Sequence, residues 1–203
     1  GIPLDYITNS SQFYENEFYV DQRVLIPRPE TELLVDFVNN YDFFQKAKIL
    51  DAGTGSGCIG ISIALKNPTY EVYGLDCYSD ALNVANYNKD LFKIKNYSLI
   101  QSDWLSCFGQ NSIDVVVSNP PYISKNDKHL NNLKHEPYGA LVASNNGLAD
   151  IKLIAEQSRF ALKKGGMLIY EHGYKQSDQV QEILSNFDFR NIQSIKDYQG
   201  IKR

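Results

Sequence analysis

The stretch Asn119-Pro120-Pro121-Tyr122 combines hydrogen-bond acceptors, a rigid backbone and an aromatic face. Two successive prolines fix two φ angles and remove two N–H donors, and a residue before a proline is held extended. We therefore expect the Asn119 side-chain oxygen and the Pro120 carbonyl oxygen to stay outside any hydrogen-bond ladder. Two fixed acceptors suit an NH2 group, which has two hydrogens to donate, and the Tyr122 ring can cover a planar group. The stretch predicts a substrate site at residues 119–122, with Asn119, Pro120 and Tyr122 as its catalytic residues.

A glycine-rich turn, Gly53-Thr54-Gly55-Ser56-Gly57, lies between a predicted strand and a predicted helix. Glycines adopt positive φ and let a ligand approach the backbone, and the helix N-terminus behind them offers free N–H groups. Asp76 ends the next predicted strand and can accept hydrogen bonds from ribose hydroxyls. Asp103 can bond an adenine amino group, and Trp104 can cover the ring. The pattern predicts a nucleotide-type cofactor site built from the whole turn, Asp76, Asp103 and Trp104.

The same turn also fits a second cofactor. Residues 55–60 match the dinucleotide fingerprint G-x-G-x-x-G, and Asp76 follows about 20 residues later, so the glycines alone leave NAD and S-adenosylmethionine open. The stretch at residues 119–122 has no role in hydride transfer, and 203 residues leave little room for a separate substrate domain. We therefore favour methyl transfer. Gly60 is interpreted as a close helix–sheet contact, and Asp51 is expected either to hold the turn or to reach the ligand's amino group.

The elements that position these residues alternate along the chain. Strands are predicted over 47–51, 71–75, 97–100, 113–117, 167–171 and 189–195. Helices are predicted from residue 30 or 31, from the glycine turn to about residue 67, from residue 79, over 148–162 and over 177–184. This alternation predicts an α/β fold with a doubly wound, mostly parallel, Rossmann-like sheet, in which ligands bind at the carboxyl ends of the strands. A polar loop over 123–147, long enough to be a lid, interrupts it.

The two ends of the chain carry separate expectations. Short strands over 17–20 and 23–26 predict an N-terminal β-hairpin, so residues 1–29 are predicted as a hairpin and linker segment and residues 30–203 as the catalytic domain. The first residues lack the basic and apolar regions of a signal peptide. The abrupt start at Gly1 is typical of the middle of a longer product, and the end at Arg203, soon after a strand, suggests trimming.

Bulk composition excludes several classes of function. A net charge of −4 argues against a large electrostatic nucleic-acid footprint. No apolar run approaches the roughly 18 residues of a membrane-spanning helix. The three cysteines lie far apart, which fits reduced thiols in a cytosol, and the three histidines show no zinc-ligand spacing with them. We predict a cytoplasmic monomer without a metal, a membrane or a stable nucleic-acid partner.

Taken together, these motifs resemble those of the class I S-adenosylmethionine-dependent methyltransferases, and more narrowly the HemK/PrmC-type release factor glutamine methyltransferases. The narrow signal is Ile26-Pro27-Arg28-Pro29-Glu30-Thr31-Glu32, because Asn-Pro-Pro-Tyr also occurs in enzymes that methylate adenine or guanine. The resemblance implies that the glycine turn, Asp76, Trp104 and Asn119 contact S-adenosylmethionine. It also implies that residues 119–122 hold the glutamine of a Gly-Gly-Gln loop in class I peptide release factors.

Two further substrate contacts and three alternatives complete the hypothesis. We predict that Phe13 packs on the glutamine side chain and that Arg28 contacts substrate, while Glu136 either serves the lid or braces the loop. The main alternative is a nucleic-acid amino-methyltransferase that uses the same turn. A non-catalytic cofactor-binding module and a nicotinamide oxidoreductase are the others.

Overall fold

The computed structural model describes residues 1–41, 43 and 46–203. The strands are β1 (Ser11–Phe13), β2 (Asn16–Phe18), β3 (Lys48–Ala52), β4 (Glu71–Asp76), β5 (Tyr97–Gln101), β6 (Ile113–Ser118), β7 (Ile123–Ser124), β8 (Val142–Ala143) and β9 (Leu162–Tyr170). The helices are α1 (Leu4–Thr8), α2 (Glu32–Asn40), α3 (Cys58–Lys66), α4 (Ser79–Leu91), α5 (Tyr138–Leu141), α6 (Ser144–Gly147), α7 (Ala149–Ala161) and α8 (Ser177–Asn186). Short 3-10 helices cover Pro29–Thr31 and Lys128–Asn132. None of the helices formed by these residues is long and apolar enough to cross a membrane.

The central sheet has five parallel strands in the order β5-β4-β3-β6-β9. The chain runs outward from β3 to β5 and then returns to the other side of β3, so the direction of winding changes between β3 and β6. This topology confirms the predicted α/β fold with a doubly wound sheet, and the sheet is entirely parallel. In such folds the ligand site lies at the carboxyl ends of the strands where the order switches.

The inner strands β3 and β6 are buried on both faces. Alternate residues of each strand point to opposite sides, and helices cover both sides. Ile49 and Val117 face a core formed with α2 and α3. Leu50 and Val116 face a second core formed with α7 and α8. This explains why the sequence of β6 is a nearly continuous apolar run. Its charged residue, Asp114, accepts hydrogen bonds from the β3 backbone and from a β9 lysine, and so links both neighbouring strands.

The predicted N-terminal hairpin is present, but the strands predicted over 17–20 and 23–26 are wrong in position. The hairpin pairs β1 with β2 through Tyr14 and Glu15, both of which have positive φ. A two-residue turn of this kind matches the twist of the strands, although it lacks the glycine that usually marks it. Residues 19–28 form no strand, and Val24 and Ile26 instead pack in a small core with α1 and α4. The division predicted between residues 1–29 and 30–203 stays a prediction.

The C-terminal part departs from the sequence prediction in two places. The last strand of the sheet, β9, begins at Leu162 directly after α7 instead of at residue 167, with a register irregularity opposite β6. The strand predicted over 189–195 is wrong, since those residues form none and only an isolated bridge joins Lys196 to Lys202. The polar loop over 123–147 carries its own short elements, including the parallel pair β7–β8.

Candidate active site

The two predicted motifs meet at one edge of the sheet. The glycine turn follows β3, and the stretch at residues 119–122 follows β6, the neighbouring strand. The Ser118 hydroxyl donates to the Ala52 carbonyl oxygen at 2.6 Å, which ties the two strand ends together. The predicted cofactor and substrate sites are therefore adjacent, at the point where the winding of the sheet reverses.

The glycine turn forms an open cradle. Gly53, Gly55 and Gly57 have φ values of 76°, 54° and 83°, which side chains rarely adopt. A Cβ atom on Gly55 would meet nothing within 4 Å, whereas one on Gly53 would lie 3.1 Å from the Trp104 ring. Trp104 therefore lies against the turn, and a ligand can approach the backbone beside it.

The side chains of Thr54 and Ser56 face the protein interior. Both are nearly inaccessible, with exposed fractions of 4% and 2%. The Thr54 hydroxyl donates to Asp51 Oδ2 and lies 2.6 Å from the Tyr97 hydroxyl. A contact of either residue with a cofactor would therefore use the backbone.

Asp51 braces the turn through one oxygen only. Its Oδ2 accepts hydrogen bonds from Thr54 and from the Gly60 backbone N–H at 3.0 Å, whereas its buried Oδ1 has no partner among the described residues. Burial raises the pKa of Asp51 to about 7, and the hydrogen bonds of Thr54 and Gly60 oppose that rise. The predicted contact of Gly60 with the sheet is confirmed, because a Cβ there would lie 2.6 Å from Tyr97.

Asp51 is expected to make folding stability depend on pH. Its pKa is higher in the folded chain than in the unfolded one, so the folded state holds a proton that the unfolded state releases. The contribution of Asp51 to stability should fall as the pH rises from about 4 to about 7, by at most about 1.4 kcal/mol per pH unit, and then stay constant. Urea denaturation of the wild type and Asp51→Asn at several pH values measures this, and a difference independent of pH would contradict it.

Asp76 joins the glycine turn to the end of β4. Its Oδ2 accepts the Gly55 N–H and its Oδ1 accepts the Tyr78 N–H, each at 3.0 Å. Burial raises the pKa of Asp76, and these backbone hydrogen bonds oppose the rise. The Cys77 backbone N–H also opposes the rise. A carboxylate has about four lone-pair sites, so these donors leave acceptor capacity for a ligand hydroxyl.

The two residues predicted after β5 differ in exposure. Asp103 is exposed, and Trp104 is half-buried with a φ of 48°. Burial raises the pKa of Asp150 in the first turn of α7, and the neighbouring Trp104 side chain opposes this rise. Sequence reasoning missed Asp150, since nothing in the pattern of α7 distinguishes it from another acidic first-turn residue.

The stretch at residues 119–122 leaves its two acceptors unused. Asn119 is half-buried, and its Nδ2 donates to the Thr31 hydroxyl at 2.9 Å. Among the described residues, no donor bonds to Asn119 Oδ1 or to the Pro120 carbonyl oxygen. Both acceptors therefore have lone pairs available for the hydrogens of an NH2 group. Neither acceptor is engaged by the described backbone.

Thr31 and Glu171 extend this site and were missed as functional residues. The Thr31 hydroxyl donates to Glu171 Oε2 at 2.6 Å, and the Tyr122 hydroxyl donates to Glu171 Oε1 at 2.8 Å. Thr31 and Glu171 are 2% and 3% exposed. Two features of the sequence could have indicated them. Thr31 lies in the motif over residues 26–32, and Glu171 places a carboxylate at the end of an apolar strand.

Two predicted substrate contacts have protein partners. The Phe13 ring is 1% exposed and packs edge-on against Phe18, and this burial does not support a contact with substrate. Arg28 pairs with Glu136 Oε1 at 2.5 Å, and Glu136 Oε2 also accepts the Ile26 N–H at 3.2 Å. Glu136 therefore braces the loop over 123–147 against the motif at residues 26–32.

Removing the Arg28 guanidinium is expected to loosen this loop. Arg28→Met leaves the nearly buried Glu136 carboxylate without its ion-pair partner, so stability should fall by about 1 kcal/mol. Limited proteolysis should also cleave faster within residues 123–136. Arg23→Met is the matched control, because its exposed pair with Asp21 joins residues two positions apart. Equal effects of the two substitutions would contradict the bracing role.

Comparisons with known proteins agree with this geometry. A family model described as a methyltransferase domain matches residues 44–201. The release factor glutamine methyltransferase of Escherichia coli (strain K12) is 38% identical over 200 residues, which cover 98% of this chain and 72% of that protein. Its counterpart in Shewanella oneidensis is 34% identical, with 98% and 70% covered.

The fold is also found among solved structures. A methyltransferase from Pyrococcus furiosus matches with a TM-score of 0.65 at 18% identity, over 92% of this chain and 84% of that chain. At that identity the match shows a shared fold only. The sequence relatives go further, since their identity extends over nearly the whole chain. The chain belongs to the release factor glutamine methyltransferase family.

Proposed function

We propose that this chain transfers a methyl group from S-adenosylmethionine to the side-chain amide nitrogen (N5) of the glutamine in the Gly-Gly-Gln motif of class I peptide chain release factors. The observation that carries the proposal is the unused acceptor pair, Asn119 Oδ1 and the Pro120 carbonyl oxygen, beside the glycine turn. Membership of the family supports the same substrate.

The cradle fits S-adenosylmethionine, which supplies an electrophilic methyl group when bound. We assign its binding to the backbone of residues 53–57, to Asp76 for the ribose hydroxyls, and to Asp103 and Trp104 for the adenine. Open space at Gly55, the indole against Gly53 and the spare lone pairs of Asp76 support this assignment. Asn119 borders the same cradle from the neighbouring strand and completes the cofactor contacts.

Residues 119–122 orient and activate the substrate amide nitrogen, which is a poor nucleophile. An amide nitrogen is weakly nucleophilic because its lone pair is delocalised into the carbonyl. Asn119 and Pro120 accept its two hydrogens, which fixes the NH2 group and favours a geometry that localises the lone pair. Orientation of this kind can supply roughly 7–11 kcal/mol. Once it carries the methyl group, the nitrogen is acidic and releases one proton to water, so no protein base is assigned.

The remaining predicted residues have supporting roles. Pro121 keeps the turn rigid, and the Tyr122 ring covers the planar amide while its hydroxyl is held by Glu171. We assign Arg28 to bracing through Glu136 as well as to the rim of the substrate site, since its side chain is 31% exposed. We further propose that the chain acts as a monomer in the cytoplasm, with no stable nucleic-acid or membrane partner.

A transfer assay with radiolabelled S-adenosylmethionine tests the proposal against its main alternative. Purified class I release factor, DNA and RNA are incubated separately with the chain, and label retained by each macromolecule is measured. We expect label on the release factor alone. Label on DNA or RNA in preference to the release factor would favour the nucleic-acid alternative, and no label on any of the three would contradict the proposal.

A further inference from the structure

A chain of hydrogen bonds runs from Asn119 into the protein. Asn119 Nδ2 donates to Thr31 Oγ1 at 2.9 Å, Thr31 Oγ1 donates to Glu171 Oε2 at 2.6 Å, and the Tyr122 hydroxyl donates to Glu171 Oε1 at 2.8 Å. Its members come from three separate parts of the chain: the 3-10 helix at residues 29–31, the end of β6 and the end of β9. This series of hydrogen bonds therefore forms only when the tertiary fold brings the three parts together.

The chain of bonds has only one consistent direction when Glu171 is ionised. A carboxylate only accepts hydrogen bonds, so the single Thr31 hydroxyl hydrogen must go to Glu171. Thr31 Oγ1 can then only accept, and it must receive a hydrogen from Asn119. An amide that gives its NH2 group to Thr31 necessarily turns its oxygen the other way. The direction of the bonds thus decides which of the two similar ends of the Asn119 amide faces the site.

We propose that Thr31 and Glu171 are positioning residues that fix the orientation of the Asn119 amide, so that its oxygen and not its NH2 group meets the substrate amide. The inference rests on the proposed function, because the orientation matters only when the substrate is a donor. A flipped Asn119 would present two hydrogens to the two hydrogens of the substrate, and that arrangement cannot form a hydrogen bond.

The surroundings of Glu171 suit this role. Its backbone N–H donates to the Ser118 carbonyl oxygen at 3.0 Å, one residue before Asn119, so both ends of the network share one backbone anchor. Burial raises the pKa of Glu171, while the hydrogen bonds of Thr31 and Tyr122 and the nearby Arg203 charge oppose the rise. A buried carboxylate that accepts two hydroxyl hydrogens keeps Thr31 and Tyr122 in place at the same time.

Some substitutions keep the shape of a side chain but change the hydrogens that it can donate. Such substitutions distinguish a role in positioning Asn119 from a role in packing. Glu171→Gln can donate to Thr31, which lets Thr31 donate to Asn119 and so permits the flipped amide. Thr31→Val removes the hydroxyl at nearly constant volume, whereas Thr31→Ser retains it. Glu156→Gln, at an exposed position of α7, removes one negative charge without touching the network and serves as the matched control.

The first measurement is steady-state methylation of a release factor together with calorimetric titration of S-adenosylmethionine. We expect Glu171→Gln and Thr31→Val to lower kcat about 10- to 100-fold and to change the cofactor Kd less than about threefold. Thr31→Ser and Glu156→Gln should stay within about threefold of the wild type in kcat. Thermal melts identify any variant that fails to fold. If Glu171→Gln fails to fold, the kcat of Thr31→Val tests the proposal in its place. Unchanged kcat in a folded Glu171→Gln or Thr31→Val variant would overturn the proposal.

The second measurement does not depend on activity. In NMR spectra of the ¹⁵N-labelled chain, the side-chain NH2 signal of Asn119 is assigned by its disappearance in Asn119→Asp. We expect its hydrogens to exchange slowly with solvent in the wild type and Thr31→Ser, and at least about tenfold faster in Glu171→Gln and Thr31→Val. Equal exchange in all four proteins would overturn the assigned orientation. A wild type that methylates no release factor but shows slow exchange would instead contradict the proposed function alone.

Discussion

Replacing Asn119 by alanine is expected to lower kcat about 100- to 1,000-fold and to leave the Kd for S-adenosylmethionine within about threefold. The substitution removes the Oδ1 acceptor, so the substrate NH2 group keeps only the Pro120 carbonyl oxygen as a partner. Most of the cofactor contacts that we assign lie in the glycine turn and at Asp76, which the substitution does not touch. Single-turnover methylation of a release factor and calorimetric titration measure the two quantities separately.

Asn83→Ala provides the control for this prediction. Asn83 is an exposed residue of α4, so its substitution tests the loss of an asparagine away from the site. We expect it to retain the wild-type kcat. Turnover by Asn119→Ala equal to that of Asn83→Ala would show that the amide acceptor contributes nothing to catalysis.

Gly147→Ala is expected to destabilise the chain by about 3 kcal/mol or more and to abolish most of the activity. A Cβ atom on Gly147 would lie 2.0 Å from the Tyr122 carbonyl oxygen and 2.8 Å from Gln176 Nε2, which donates to that same oxygen. The φ of Gly147 is also 84°, which alanine adopts only with strain. The Tyr122 backbone would have to move, and with it the turn that carries the acceptors. Urea denaturation measures the loss of stability.

The matched control is Gly165→Ala. Gly165 has nearly the same φ, 81°, but a Cβ there would meet nothing within 4 Å. Its substitution should therefore cost only the conformational strain, about 1 kcal/mol. The difference between the two variants isolates the clash with Tyr122, and equal losses of stability would show that no such clash exists.

The parts of the site that could be predicted are those that short, local sequence patterns indicate. The strand before Asn119 is an apolar run, two prolines end it, and three glycines mark the turn after β3. The parallel sheet then places these strand ends side by side, because parallel strands all finish at the same edge. Neither inference required knowledge of contacts between distant parts of the chain.

The parts that the sequence did not predict depend on such contacts. Thr31 and Glu171 are 140 positions apart, and no local pattern indicates that they meet. The partner of Arg28 was hidden for the same reason, since Glu136 lies 108 positions from Arg28. The hairpin was misplaced because Tyr14 and Glu15 adopt positive φ without a glycine to announce the turn. Residues 189–195 have the composition of a strand, but they do not pair with β9.

Mass spectrometry of a class I release factor, digested after incubation with the chain and S-adenosylmethionine, tests the central claim most directly. We expect the mass of one CH2 group to be added to the peptide that contains Gly-Gly-Gln, with fragmentation placing it on the glutamine side chain. The same addition should be absent with Asn119→Ala. An unmodified glutamine after incubation with folded, cofactor-binding wild-type protein, or a methyl group on a different residue, would contradict the claim that the acceptors at residues 119 and 120 hold this amide.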